Sequence, residues 1–216
     1  MSVLNLIAYF QNRRDEVPNQ ELARKLAYAR DQEGVQEIAE NLWNKNTNIQ
    51  SDCLKVLYEI GYLDPSLIAG YAEDFLEMLR NRNNRLVWGS MIALSTIAMI
   101  SADDIYPHLS EIQKAMESGS VITVDAGVLT LAALASTSPE RNREIFPYLS
   151  KHLETCRPKD VPQHAEKTLP AVNFGNKGDF IAVLEKRMED MTDSQAARLR
   201  RTIKQAEKRT SNRSSD

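Results

Sequence analysis

The sequence predicts an all-α protein built from antiparallel helix pairs stacked one on the next. Three observations carry that prediction. Turn chemistry is scarce, with eight Gly and eight Pro in 216 residues, about 7% against roughly 12% in average usage. A many-stranded sandwich or barrel needs a turn every few residues. Apolar positions also recur with a long period. Leu57, Leu94, Leu131 and Leu169 are spaced by 37, 37 and 38 residues. Upstream, Ile38, Phe75 and Ile112, then Leu42, Leu79 and Met116, step by 37 as well. The third observation is the spacing inside a unit. Ile68, Tyr71, Ala72 and Phe75 fall at i, i+3, i+4, i+7, and Leu76 and Leu79 continue the same helix face.

The elements follow in order. Two N-terminal helices, near 2–13 and 19–31, are expected to cap one end. Residues 33–175 hold about four helix pairs, each unable to bury its apolar face alone, so consecutive pairs must stack. The second helix of the second pair, from about Leu86 to Ile100, is apolar nearly all round and should be covered by neighbours. Asp64-Pro65 and Ser138-Pro139 each place an N-cap before Pro at the first helical position. Ile145-Phe-Pro-Tyr-Leu149 matches Ile105-Tyr-Pro-His-Leu109 at a distance of 40. Pro170 should kink or shorten the last second helix, and the run from Asn173 to Gly178 ends it. A degenerate pair over 180–209 caps the other end, its second helix opened by the capping box Thr192-Asp-Ser-Gln195. The chain thus reads as one domain over 1–209 with a disordered tail at 210–216. Gly89 and Gly127, early in second helices, mark close helix crossings, whereas Gly34 and Gly61 read as punctuation between helices.

Helix pairs repeating every 37–40 residues resemble the HEAT-like and armadillo-like α-solenoid families over roughly residues 33–175. Tetratricopeptide repeats are shorter and carry a Trp/Leu-Gly/Tyr/Pro pattern that this chain lacks. The resemblance implies a right-handed α-α superhelix whose second helices line a concave side.

Composition removes several function classes. No stretch approaches the ~20 apolar residues of a membrane span. The N-terminus, MSVLNLIAYFQNRRDE, lacks the positive region and cleavage site of a signal peptide. Cys53 and Cys156 make no disulfide framework, and both lie on apolar faces, so buried reduced thiols and a cytoplasmic location are expected. His108, His152 and His164 show no HExxH spacing and no paired cysteines for zinc, and read as partly exposed helical histidines. P-loop, GxSxG and Rossmann fingerprints are missing too. Neither a cofactor nor an enzymatic activity is expected.

What remains is a surface. Six residues before each ladder leucine stand Ser51, Trp88, Asp125 and Gln163, and five before stand Asp52, Gly89, Ala126 and His164. These positions open the second helices, one set per pair. Asp52, Arg85, Trp88, Asp125, Gln163 and His164 are therefore the candidate partner-binding residues, with Trp88 as anchor and Asp52 and Asp125 selecting a basic partner. Trp43, on a first-helix face, reads as core. The expected function is a protein-binding scaffold or adaptor. The alternative is nucleic-acid binding of the alkylpurine DNA glycosylase type, a HEAT-like family of similar size, with Trp88 and Asp125 beside the base. Charge argues against it: the net of −3 divides into +4 over residues 192–216 and −7 over the rest, whereas phosphate binding requires a cationic surface. The basic run Arg198, Arg200, Arg201, Lys204, Lys208, Arg209 reads as a solvated helix face or a docking strip.

Overall fold

The computed structural model describes residues 2–211, with side chains through residue 208, and contains helices, turns and no strand among them. The chain forms two compact units that divide between Thr130 and Leu131. Each is described by itself.

The first unit opens on a 3-10 turn, Leu4–Leu6, instead of the helix expected over 2–13. The segment is held by side chains from later in the chain. Glu37 accepts from the amides of Val3 and Leu4 at 2.9 and 3.4 Å and from the Ser2 hydroxyl. Asn19 Oδ1 accepts from Ala8 N–H at 2.8 Å, and Asp52 Oδ2 from Tyr9 N–H at 2.8 Å. Amides satisfied by carboxylates and an amide oxygen need no helical ladder, which explains the departure.

Helix α1 (Val17–Ala29) ends with Arg30 in the left-handed region, φ 49°. Helices α2 (Gln32–Glu40) and α3 (Thr47–Leu63) form the first pair. Asp31 and Asn46 cap them by accepting from the amides of Gly34 and Asn48 at 3.0 and 2.9 Å. Between them, Asn41–Trp43 is a 3-10 turn that leaves Trp43 48% exposed, its indole donating to Asp74 at 2.9 Å. The core assignment of Trp43 fails because the 3.6-residue period stops before it.

The first helix of the next pair is cut short. Asp64 caps as expected, accepting from Ser66 N–H at 3.2 Å, but two 3-10 turns, Pro65–Leu67 and Ala69–Tyr71, precede α4 (Ala72–Met78). Helix α5 (Asn84–Ile97), capped by Asn83, buries Leu86, Met91, Ala93, Leu94 and Ile97. It stops short of Ile100, which is exposed along with Met99. Short α6 (Ala102–Ile105), a 3-10 turn at Tyr106–His108 and α7 (Leu109–Ser118) lead to α8 (Val121–Ala135), within which the first unit ends. Helix α3 packs against α1, α2 and α5 and is the centre of this unit.

In the second unit, α9 (Pro139–Thr155) starts at the Ser138 cap, whose hydroxyl accepts from Arg141 N–H at 3.2 Å. A 3-10 turn, Pro158–Asp160, leads into α10 (Val161–Thr168). Helix α10 ends just before a 3-10 turn containing Pro170, as the proline requires. The following loop is pinned by buried Asn142. Its oxygen accepts from Asn173 and Asn176 at 2.8 and 2.9 Å, and its nitrogen donates to the carbonyls of Ala135 and Ala171. Helices α11 (Lys177–Arg187) and α12 (Asp193–Ser211) form the last pair. The capping box is made: Thr192 N–H donates to Gln195 Oε1 at 3.0 Å, and Gln195 N–H to Thr192 Oγ1 at 3.4 Å. Helix α12 carries through Thr210 and Ser211, two residues into the segment expected to be disordered, and 212–216 lie outside the described residues.

Candidate functional site

In the first unit, α3 and α5 approach closely at Gly89, where an added Cβ would meet Leu54 Cδ2 at 2.7 Å. That crossing brings one face of each helix to a shared cavity of about 720 Å³. Helix α3 contributes Asp52, Lys55 and Tyr58 to its wall, and α5 contributes Arg85 and Trp88. The N-terminal segment closes one side with Tyr9, Phe10 and residues 12–16. Had that segment been helical, its amides would not have reached Asp52.

The walls combine rings with charges. Trp88 is half-buried, tilted 57° against Tyr58 at 6.3 Å between centroids. Tyr9 and Phe10 meet edge-to-face at 5.1 Å, and both are substantially exposed. Lys55 Nζ lies 4.7 Å from the centre of the Tyr58 ring and pairs with Glu16 and Glu59 at 2.9 and 2.7 Å. Burial opposes its charge, but the bonds to Glu59, Tyr58 and Glu16 outweigh it and hold the ammonium above its ordinary pKa.

The carboxylates of this wall are occupied. Asp52 accepts from Tyr9 N–H with one oxygen and from the Asn19 amide, at 2.9 Å, with the other. Asp15 receives a two-point contact from Arg13, both bonds at 2.9 Å, and that contact lowers its pKa. Glu16 holds Lys55. Among the described residues, the Arg14 and Arg85 side chains enter no ion pair, and both are exposed. Asp52 keeps its charge, because both of its donors are neutral, and the lining sets four cations, Arg13, Arg14, Lys55 and Arg85, against three carboxylates, Asp15, Glu16 and Asp52.

The structure thus brings Asp52, Arg85 and Trp88 into one cavity. Asp125, on α8, is half-buried and not part of its lining. Gln163 and His164 belong to the second unit. Gln163 is half-buried, but His164 is only 2% exposed and cannot present a surface. Its Nδ1 lies 2.9 Å from His152 Nε2, in a hydrogen bond between the two rings. Burial, and then the neighbouring His164, push the His152 imidazole down to about 4, with Asp160 opposing. Cys156 stands beside this pair. The donor atoms of His152, Cys156 and His164 all lie within 4.8 Å of one another, so this cluster has the groups to hold a metal. Sequence reasoning missed it because neither HExxH nor paired cysteines are present. The signal that finds it is a His in the last turn of a helix, a Cys four residues on at its C-cap, and a second His eight residues further.

The basic strip of α12 behaves in part as a docking strip. Arg198 makes a two-point contact with Glu166 of α10, both bonds at 2.6 Å, which lowers the Glu166 pKa. No helix among the described residues is long and apolar enough to cross a membrane.

The chain matches no protein-family model and no curated protein. It is similar to solved structures over nearly its whole length. A crystal structure of an engineered protein matches 97% of this chain and 98% of its own, with a TM-score of 0.67 at 17% identity. A designed armadillo repeat protein in complex with the peptide (KR)4 matches 87% of this chain and 86% of its own, with a TM-score of 0.68 at 15% identity. Computationally designed armadillo repeat proteins for modular peptide recognition match 86% of each chain at a TM-score of 0.64 and 15% identity. With the helix pairs described above, these likenesses show that the chain has an all-α, armadillo-like helical-repeat fold.

Proposed function

We propose that this protein is a protein-binding repeat scaffold whose first-unit cavity receives an extended segment of a partner. The observation that carries the reading is the wall itself, where Trp88 and Tyr58 form an aromatic floor beside two arginines without ion pairs. Trp, Tyr and Arg are the residues most often found to dominate binding energy at interfaces. The carboxylates of the wall are taken up within the chain, so the favoured segment carries Asp or Glu beside an apolar or aromatic side chain. Peptide binding by similarly folded designed proteins supports the class of ligand. The (KR)4 peptide bound by one of them has the opposite charge from the segment proposed here.

The test is a displayed peptide library selected on the wild-type chain and then measured against Trp88→Ala and Arg85→Glu. Enriched peptides should be acidic and lose at least about tenfold in affinity, or ~1.4 kcal/mol, on either substitution. Enrichment of basic peptides, or binding to either variant as tight as to the wild type, rejects the cavity assignment. Duplex DNA titrated against salt covers the nucleic-acid reading, since phosphate binders weaken steeply as salt rises.

A further inference from the structure

The run from His152 to His164 places three metal-ligating side chains at the junction of α9 and α10. His152 and Cys156 are four residues apart and so stack one turn above the other. Cys156 is the C-cap of α9, with φ −66° and ψ 162°, and there the chain leaves the helix. The turn Pro158–Asp160 reverses direction, and α10 returns His164, buried, to face His152. The two ring nitrogens are 2.9 Å apart, and all three donor atoms lie within 4.8 Å.

We propose that His152, Cys156 and His164 bind zinc, as three protein ligands of a four-coordinate site. Zinc takes imidazole nitrogen and thiolate sulfur at about 2.0–2.3 Å, which sets tetrahedral donors roughly 3.3–3.8 Å apart. The present separations bracket that spacing, and ring and thiol rotations close the difference. A set of two imidazoles and a thiolate suits zinc and is wrong for magnesium or calcium, which take oxygen. On binding, the hydrogen bond between the rings opens, and the donating ring carries its proton on its other nitrogen. The thiol releases its proton to solvent, and the metal accepts three lone pairs. The fourth position goes to water.

The surroundings hold the ligands in place. Arg187, 7% exposed on α11, donates to the carbonyls of Leu153 and Cys156 at 2.5 and 2.9 Å. It therefore fixes the turn that carries the thiol; burial pushes the Cys156 thiol up, and the Arg187 charge only partly opposes that. Groups that orient a metal's ligands in this way contribute to affinity without touching the ion. The consequence is a tie between the end of α9 and the start of α10 that hydrophobic contact alone does not make.

The test uses the full chain, zinc and cobalt. After equilibration with zinc and gel filtration, elemental analysis should find one zinc per chain. Cys156→Ser and His164→Ala should each weaken binding by more than the ~10–100-fold that losing an outer-shell partner costs. Cobalt in place of zinc should give a thiolate charge-transfer band in the wild type. Zinc should also slow iodoacetamide labelling of Cys156. Those last two readouts need no variant and decide the matter if the substitutions unfold the chain. Absence of retained zinc, retention undiminished in Cys156→Ser, or Cys156 labelling unchanged by zinc would overturn the site.

Discussion

Arg30 holds the C-terminal turn of α1 in a conformation that favours glycine, with φ 49° and ψ 41°. Its amide donates to Ala27 O at 3.1 Å, and Asp31 N–H donates to Leu26 O at 3.0 Å, which closes the turn in the Schellman pattern. A side chain there costs about 1–2 kcal/mol of left-handed strain. Arg30 offsets some of it through Asp64 at 3.2 Å, an exposed pair of modest value. Arg30→Gly should therefore stabilise the chain, while Arg30→Ala, which keeps the strain and loses the pair, should not. A difference of about 1 kcal/mol between the two variants in denaturant midpoints is expected, and equal midpoints would show the turn to be unstrained. Single residues were also where the sequence was least legible. Trp43 looked like core from its place after an apolar stripe, but the helix ends before it. His164 looked like a surface residue from its place in a row, yet what fixes its surroundings is His152, twelve residues earlier.

At the scale of helices, the glycines show what the ladders did and did not reveal. Gly89 was expected at a crossing, and it is at one. Gly61 looked like punctuation after a helix but lies inside α3, where an added Cβ would meet Thr96 Oγ1 at 2.2 Å, Ile68 Cδ1 at 2.8 Å and Thr96 Cβ at 2.9 Å. Its partners, 7 and 35 residues later in the chain, are invisible to a local pattern. Gly61→Ala should destabilise by about 1–3 kcal/mol from overpacking, less the ~1 kcal/mol that alanine gains in a helix. Gly89→Ala should cost less, because its close contacts are with one side chain, Leu54 Cδ2 at 2.7 Å and Cγ at 3.0 Å, and Tyr58 Cε1 lies at an ordinary 3.9 Å. Gly70→Ala, with nothing within 4 Å, serves as the control. Thermal or denaturant unfolding ranks the three, and a Gly70→Ala loss as large as that of Gly61→Ala would contradict the packing argument. The same limit explains the N-terminal segment. An apolar run suggested a helix, but Glu37, Asn19 and Asp52 accept its amides, and a helix-period search does not see acceptors that arrive from other elements.

For the whole molecule, the helix pairs were legible because a 37-residue period is written many times over. The charge balance of a cavity is written once, in pairings such as Asp52 with Tyr9 N–H. Those pairings also set how the fold responds to acid. Hydrogen bonds from Arg13 to Asp15, Ser66 to Asp64, Arg80 to Glu111 and Arg198 to Glu166 each hold a carboxyl below its ordinary pKa. Glu37 is lowered too: burial works against it, and the bonds from Ser2, Val3 and Leu4 prevail. A carboxyl depressed in the folded state binds its proton more weakly there than when unfolded. Its contribution is therefore present above the unfolded value and is lost as pH falls through the folded one. Half-buried His152, depressed to about 4, acts with the same sign from higher pH, because the unfolded imidazole takes up its proton first. Stability should hold between about pH 7 and 8 and begin to fall below about 6.5 as the unfolded histidine protonates. It should fall more steeply below about 4.5, where the carboxyls join. Unfolding midpoints measured from pH 8 to 3 give that curve directly. Replacing Glu37 by Gln should flatten only its acid limb, because the neutral side chain no longer titrates. A curve that rises on acidification would mean that repulsion within the acidic body outweighs the pairs described above.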